Sequence, residues 1–227
     1  MVTIQDVINI KLSKDEVISC LKKARERIFL DNLRPRCTNV QFDCKVRGYV
    51  GELAIKKWFE NNSIEIEATD YLEEDEFIDI DFKVKGLNIE VKTSLIPDKD
   101  ETLENVIERR DIKLIRRNKQ SIELLRGNIH VQIYFRQKRK KRDSWLEQQS
   151  IDVENATLEA LYEGLRADVY TNTTFIVAWI DKKTLIDLIN SKPIEEQTWH
   201  FRYRDFWSCN LKEEAKKPIE LISLLKI

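Results

Sequence analysis

Residues 77–92 read FIDIDFKVKGLNIEVK, and this stretch decides the expected fold. Apolar and polar residues alternate over 77–84 and again over 87–92, which is the pattern of two strands that each bury one face. Lys85 and Gly86 stand between the two runs and favour a tight turn. The stretch therefore predicts an antiparallel β-hairpin.

The register of this hairpin brings acidic residues together. If Val84 pairs with Leu87, Asp81 lies opposite Glu90, with β-carbons about 5 Å apart. Two carboxylates at that separation require a counterion, and Mg²⁺ prefers an oxygen-rich, partly hydrated site of this kind. We predict a Mg²⁺ ion held by Asp81 and Glu90, with Mn²⁺ able to substitute and Asp79 as a less favoured ligand.

Lys92 follows Glu90 by two positions, so both side chains lie on the same face of the strand. The ammonium group there could contact a scissile phosphate, or help to orient and deprotonate the attacking water. The alternative is a solvated strand face with an ordinary cross-strand pair between Asp79 and Lys92. An acid-x-lysine spacing alone does not separate the two interpretations.

Helices and further strands are expected on both sides of the hairpin. Periodicity predicts helices at 14–30, 44–61, 101–125, 152–166 and 182–190, and strands at 64–68, 129–136 and 174–180. Residues 193–210 are rich in aromatic side chains and are expected to be irregular or stranded.

Asp81 followed by Glu90-Val91-Lys92 resembles the motif of the PD-(D/E)XK nuclease superfamily. In that motif an aspartate on one strand precedes an acid-x-lysine sequence on the next. Ile80 stands where the motif has proline, which leaves the choice between Asp79 and Asp81 open. The hairpin register favours Asp81.

The preceding helix carries a further part of the resemblance. Glu52, within Gly51-Glu52-Leu53-Ala54, is similar to the glutamate that many members place upstream of the hairpin. The alternative for Glu52 is a helix-surface pair with Lys56, four residues on. The expected order of elements over 44–136 matches the αβββαβ core of the superfamily. The resemblance implies a restriction-endonuclease-like α/β fold, with a mixed central sheet flanked by helices, and four catalytic residues: Glu52, Asp81, Glu90 and Lys92.

Clusters of basic residues predict where a nucleic-acid backbone would bind. The first cluster comprises Lys138, Arg139, Lys140, Lys141 and Arg142, and the second comprises Arg109, Arg110, Lys113, Arg116, Arg117 and Lys119. A solvated face is the alternative for such runs. Residues 199–204 interleave aromatic and basic side chains, which suits stacking and phosphate contact, although one buried strand face would explain the aromatics equally well.

Composition excludes several other classes of protein. Lys and Arg number 39 and Asp and Glu number 40, so attraction to a polyanion must be local. The five glycines form no phosphate-binding loop, and the four cysteines, without a CxxC pair, and two histidines disfavour a zinc site. No apolar run approaches the roughly 20 residues that span a bilayer, so we expect a cytoplasmic protein without membrane contact.

These observations together predict one nuclease domain over 1–227, with its catalytic core at about 44–136. We expect a Mg²⁺-dependent DNA endonuclease that binds double-stranded DNA as a homodimer, in the manner of a type II restriction endonuclease. The alternatives are a repair, junction or mobile-element nuclease of the same superfamily, or a non-cleaving DNA-binding module with this fold.

Overall fold

The computed structural model describes residues 1–27, 36–67, 80–201 and 203–226. Its helices are α1 (Lys14–Glu26), α2 (Thr38–Asn61), α3 (Leu103–Arg109), α4 (Arg139–Glu147), α5 (Leu158–Gly164), α6 (Val169–Asn172), α7 (Lys182–Ser191) and α8 (Pro218–Lys226). Its strands are β1 (Ile8–Ile10), β2 (Phe82–Val84), β3 (Leu87–Ile96), β4 (Leu114–Arg116), β5 (Ile129–Lys138), β6 (Thr174–Asp181), β7 (Thr198–Phe201) and β8 (Arg204–Trp207).

A mixed five-stranded sheet forms the centre of the fold, in the order β1-β6-β5-β3-β2. β3 and β5 are parallel, and every other neighbouring pair is antiparallel. β5 is buried from Ile129 to Phe135 because it has neighbours on both edges and helices over both faces. The expected α/β class, with a mixed sheet flanked by helices, is confirmed.

The predicted hairpin is present with the predicted register. Val84 lies opposite Leu87, and Phe82 lies opposite Ile89. Lys85 and Gly86 both have positive φ, 49° and 73°, which is the backbone of a two-residue turn matched to the twist of the strands. Glycine tolerates this conformation without strain, whereas Lys85 adopts it at some cost.

Each face of the central sheet has its own hydrophobic core. Odd-numbered residues of β3 and β5, such as Ile89 and Val131, pack with α1 and α2. Tyr134 and Ile96 face the opposite side, where they pack with α3 and α7. The alternation of side chains along a strand therefore assigns Val91 to the α2 face, and Glu90 and Lys92 to the other face.

Helix α2 approaches the sheet closely at Gly51. A β-carbon at Gly51 would lie 2.3 Å from Cγ2 of Thr93 and 3.6 Å from Cγ1 of Val91. The contact with Thr93 is too short for any other residue unless the helix, the strand or the Thr93 side chain moves, whereas the distance to Val91 is an ordinary contact. Gly51 therefore sets the distance between α2, which carries Glu52, and β3, which carries Glu90.

The expected continuous helix over 101–125 was wrong. α3 ends at Arg109, and Nε of Arg110 lies 2.6 Å from a carboxylate oxygen of the buried Asp100. The backbone N–H of Ile112 then donates to the carbonyl of Cys209. Pairing with the C-terminal region thus overrides the local helix propensity, and β4 and two short 3₁₀ turns follow instead.

Other expected boundaries shifted. The predicted strand at 64–68 is represented in the described residues by one bridge, between Glu67 and Lys83, and residues 77–79 of the first hairpin strand lie outside those residues. The expected helix at 152–166 is confined to α5, where the Thr157 side chain caps the first turn. The expected strand at 129–136 and helix at 182–190 are confirmed within two residues at each end.

A second, smaller sheet has the order β4-β8-β7 and is antiparallel throughout. Its strands β7 and β8 come from the aromatic segment at 193–210, whose stranded alternative is confirmed, and β4 comes from Leu114–Arg116. None of the helices in the described ranges combines the length and apolar composition required to cross a membrane.

The close approach at Gly51 predicts a stability difference between two glycines of the same helix. Gly51→Ala should lower the free energy of unfolding by about 1–3 kcal/mol, because the added methyl overpacks the contact with Thr93. Gly48→Ala is the matched control, because a β-carbon there meets nothing within 4 Å and should raise stability by about 0.5–1 kcal/mol. Urea unfolding measures both, and equal effects would contradict the assigned close approach.

Candidate functional site

The candidate site lies where β2 and β3 separate. β2 pairs with three residues of β3, and the last pair is Phe82 with Ile89. β3 continues to Ile96 and pairs there with β5 on its other side. Within the described part of the chain, the edge of β3 beyond Ile89 on the β2 side has no strand partner.

Asp81 occupies the point of separation. Its backbone N–H donates to the carbonyl of Ile89 at 2.9 Å, and its Oδ2 accepts from the backbone N–H of Val91 at 2.6 Å. The carboxylate thus satisfies a donor at the free edge of β3. Glu52, on α2, forms a side-chain hydrogen bond with the same carboxyl group.

The surroundings of Glu52 disfavour the ionised form of its carboxyl group. Burial raises the pKa of the Glu52 carboxyl, and the neighbouring Asp81 raises it further. Lys56 and Lys23 act in the opposite direction, and the resulting pKa is about 8. The two carboxyl groups can therefore share a proton at neutral pH, as closely spaced acids do.

Glu90 has the opposite electrostatic environment. Glu90 is 5% exposed, and its carboxylate forms an ion pair with the ammonium of Lys92. Nδ1 of His130 donates to Oε2 of Glu90 at 2.5 Å. Burial alone would raise the pKa of Glu90, but Lys92 and His130 outweigh it and lower the pKa to about 2. Glu90 is therefore ionised at every ordinary pH.

The described contacts divide the four predicted catalytic residues into two pairs. Glu52 and Asp81 form an acid pair, and Glu90 and Lys92 form an ion pair. The hydrogen bond from the Val91 amide to Asp81 links the pairs across the plane of the sheet. The prediction that Asp81 and Glu90 jointly hold a metal stays a prediction, and Asp79, the alternative ligand, lies outside the described residues.

The acid pair has the chemistry expected of a divalent-cation site. Mg²⁺ commonly binds through one or two carboxylates and completes its shell with water and substrate oxygens. Glu52 and Asp81 supply two adjacent carboxyl groups, and burial together with the neighbouring Asp81 raises the pKa of Glu52. Residues 1–27, 36–67, 80–201 and 203–226 hold no group of three or more His, Cys, Asp or Glu side chains arranged to bind a metal.

A cavity of about 720 Å³ borders the free edge of β3. Residues 92–95 form one wall, the N-terminal half of α2 forms another, and the second sheet faces them. Among its described lining residues, basic side chains outnumber acidic ones by eight to three. The basic residues are Arg36, Arg47, Lys92, Lys99, Arg110, Lys113, Arg139 and Arg204. Arg47, Lys92 and Arg110 pair with Asp43, Glu90 and Asp100, and the other five basic residues still outnumber the three acidic ones, which favours an anionic ligand.

The predicted backbone-binding run at 138–142 is only partly available to a ligand. Lys140 and Lys141 are exposed near the start of α4, Lys138 is half-buried, and Arg139 lines the cavity. Arg142 is 6% exposed and lies 2.7 Å from Oδ1 of Asp43. The expectation that Arg142 contacts nucleic acid is therefore corrected, because its guanidinium neutralises a buried carboxylate.

The second basic cluster and the aromatic segment meet at the same cavity. Arg110 and Lys113 line it, together with Trp199, Phe201 and Arg204 of the β7–β8 hairpin. The rings of Trp199 and Phe206 stack with centroids 4.4 Å apart. The alternative of one buried aromatic face does not hold for the whole segment, because Phe201 is 39% and Tyr203 is 90% exposed.

Sequence reasoning missed His130. This histidine is fully buried beside Glu90, and their strands pair in register. Gly127 permits this packing, since a β-carbon there would lie 2.8 Å from Cε1 of His130 and 3.2 Å from Cβ of Glu90. The sequence signal for this residue was a histidine within the apolar run 129–135. That signal pointed to Glu90 only once the parallel pairing of β3 and β5 was known.

Sequence reasoning also missed a buried charged network beside the cavity. Asp43 is fully buried and accepts from the hydroxyl of Tyr170 at 2.5 Å. Arg47 and Arg142 flank the same carboxylate, and their positive charges keep the pKa of Asp43 below its usual value despite burial. The network fixes the N-terminal half of α2 against α4 and α6, and so fixes one cavity wall.

Comparisons of the chain with protein-family models, with curated proteins and with solved structures found no match.

The raised pKa of Glu52 predicts a specific pH dependence of stability. Between its ordinary pKa of 4.5 and about 8, the folded protein binds a proton that the unfolded chain has lost. This contribution to stability is present at low pH and declines as pH rises through that window. Glu52→Gln should remove the decline, which is at most about 1.4 kcal/mol per pH unit for one proton.

Urea unfolding of the wild type and Glu52→Gln at several pH values measures the difference. Glu60→Gln is the control, because Glu60 is an exposed glutamate on the same helix and its substitution should leave the wild-type profile unchanged. Parallel profiles for the wild type and Glu52→Gln would contradict the assigned environment of Glu52.

Proposed function

We propose that the chain is a Mg²⁺-dependent endonuclease of the PD-(D/E)XK type that hydrolyses phosphodiester bonds in DNA. One observation carries this proposal. α2 and the two hairpin strands bring Glu52, Asp81, Glu90 and Lys92 to the point where β2 leaves β3. Lys92 from this group also lines the basic cavity. A solvated strand face would not bury Glu90, and an ordinary helix-surface pair with Lys56 would not raise the pKa of Glu52.

The order of elements supports a restriction-endonuclease-like core. α2 precedes the β2–β3 hairpin, α3 follows it, and β5 returns parallel to β3. The first strand of an αβββαβ core corresponds to the region of the Glu67 bridge. We propose a type II restriction role, in which cutting of a palindromic site would require a homodimer.

Each residue of the site has a distinct proposed task. Glu52 and Asp81 would hold the Mg²⁺ ion, with Glu90 as the further expected ligand. The bound ion would supply an acidified water and neutralise charge on the phosphate. Lys92 would place its ammonium against the scissile phosphate at the cavity wall. In the described state Glu90 orients Lys92, and His130 fixes the second oxygen of Glu90.

Substitution of Lys92 tests the catalytic role of the site. Lys92→Ala should lower Mg²⁺-dependent cleavage of plasmid DNA at least about 100-fold, because positioned proton-transfer groups contribute that much or more. Lys83→Ala is the matched control, since it removes a lysine from β2 of the same hairpin and should retain wild-type cleavage. Equal rates for Lys92→Ala and the wild type would contradict the assignment.

Isothermal titration with Mg²⁺ or Mn²⁺ separates metal binding from the role of the lysine. Asp81→Asn and Glu52→Gln should lose metal binding and cleavage together, whereas Lys92→Ala should still bind metal. Loss of binding in Glu90→Gln would place Glu90 in the ligand set; retained binding would restrict it to orienting Lys92. A wild-type protein that binds neither ion, with or without DNA, and cuts no DNA would overturn the proposal.

A long duplex of known sequence, incubated with the wild type and Mg²⁺, distinguishes the biological roles. Discrete fragments support restriction. A smear, or cutting confined to junctions, supports a repair, junction or mobile-element nuclease instead. Retarded but intact DNA supports a non-cleaving binding module and contradicts the enzyme.

The exposed lysines of α4 predict a change in the salt dependence of DNA binding. The double variant Lys140→Gln and Lys141→Gln should flatten the slope of log affinity against log salt by about 1 to 2, because each phosphate contact releases condensed counterions. Lys11→Gln with Lys22→Gln is the charge-matched control, because these exposed lysines do not line the cavity. Equal slopes for both double variants would show that the α4 lysines are solvated surface.

A further inference from the structure

The cavity beside Lys92 has an aromatic wall as well as a basic lining. Phe201 lies at the end of β7, is 39% exposed and lines the cavity. The guanidinium of Arg139, from α4, lies 5.5 Å from the centroid of the Phe201 ring. The stacked pair of Trp199 and Phe206 continues the same wall. A flat ligand with negative charge would therefore meet rings and cations together.

The size of the cavity restricts the form of nucleic acid that can enter it. A volume of about 720 Å³ is within the range of sites for ligands the size of a small molecule. A double helix is wider than its major groove, which alone measures about 12 Å, so it cannot fit inside a cavity of this volume. One or two nucleotides with unstacked bases are of the right size.

The polar groups of the wall match the remaining parts of a nucleotide. Arg204 and Lys99 are exposed cations that line the cavity, and they can contact phosphate oxygens. Thr93 follows Val91 by two positions, so its backbone N–H and C=O lie on the β3 edge that lacks a strand partner in the described residues, where they can meet base edges. Phe201 provides a ring for stacking, which is tolerant of base identity.

We propose that this cavity binds one or two unpaired nucleotides, with a base stacked on Phe201 and the phosphates held by Arg204 and Lys99. The proposal rests on the proposed nuclease function and specifies its substrate. The strand adjacent to Lys92 is single-stranded or locally unpaired, and a duplex reaches the site only after a nucleotide leaves the helix.

Fluorescence of short single-stranded oligodeoxynucleotides that contain 2-aminopurine tests the proposal. The titrations use the full chain with EDTA present, so binding is measured without cleavage. The single strand should bind about tenfold more tightly than a blunt duplex of the same sequence, and stacking should quench the 2-aminopurine emission. A duplex that binds at least as tightly as the single strand would overturn the inference.

Variants of Phe201 separate stacking from general folding. Phe201→Leu keeps apolar bulk but lacks the ring, so it should bind the single strand about tenfold more weakly and lose the quenching. Phe201→Tyr should retain both properties. Leu124→Ala is the control, because Leu124 is a large, 62% exposed apolar residue that does not line the cavity. Wild-type affinity and quenching in Phe201→Leu would overturn the inference.

The test of nucleotide binding can be read separately from the test of DNA cleavage. Phe201-dependent binding by a protein that cuts no DNA with Mg²⁺ or Mn²⁺ would support the nucleotide site and contradict the nuclease. Cleavage that depends on Lys92 but is unaffected by Phe201→Leu, with duplex bound at least as well as single strand, would support the nuclease and overturn the nucleotide site.

Discussion

The short ladder between β2 and β3 is the constraint on which the candidate site depends. Within the described residues, the pairing of β2 with β3 ends at Phe82 and Ile89, so that edge of β3 makes other contacts beyond Ile89, while β5 fixes the opposite edge. Asp81 satisfies the first free donor of that edge, the amide of Val91, and this places its carboxyl group beside Glu52.

The two sides of this edge differ in electrostatics. On one side the acid pair shares a proton, and the pKa of Glu52 is about 8. On the other side Lys92 and His130 hold the pKa of Glu90 near 2. Environments that separate the pKa values of neighbouring acids assign them different tasks. Here the adjacent carboxyl groups of Glu52 and Asp81 suit a cation, whereas Glu90, neutralised by Lys92 and His130, suits the orientation of the lysine.

The sequence predicted what depends on local pattern. The alternation of apolar and polar residues predicted the hairpin and its register. Helical periodicity predicted α2 with Glu52, and a run of apolar residues predicted β5. It failed where distant segments decide the structure. α3 ends early because the chain after it pairs with the region of Cys209, and Arg142 is buried because Asp43, about one hundred positions earlier, requires a counterion. Only the parallel pairing of β3 and β5 identifies His130 as the partner of Glu90.

The central claim is that Glu52 and Asp81 receive a divalent cation. Crystals of the wild type grown with Mn²⁺ and a DNA oligonucleotide test it most directly, through anomalous difference density at the manganese absorption edge. The account predicts a peak about 2.0–2.2 Å from carboxylate oxygens of both residues, the distance typical of a small divalent cation with oxygen ligands. Bound DNA at the cavity with no peak at this acid pair would contradict it.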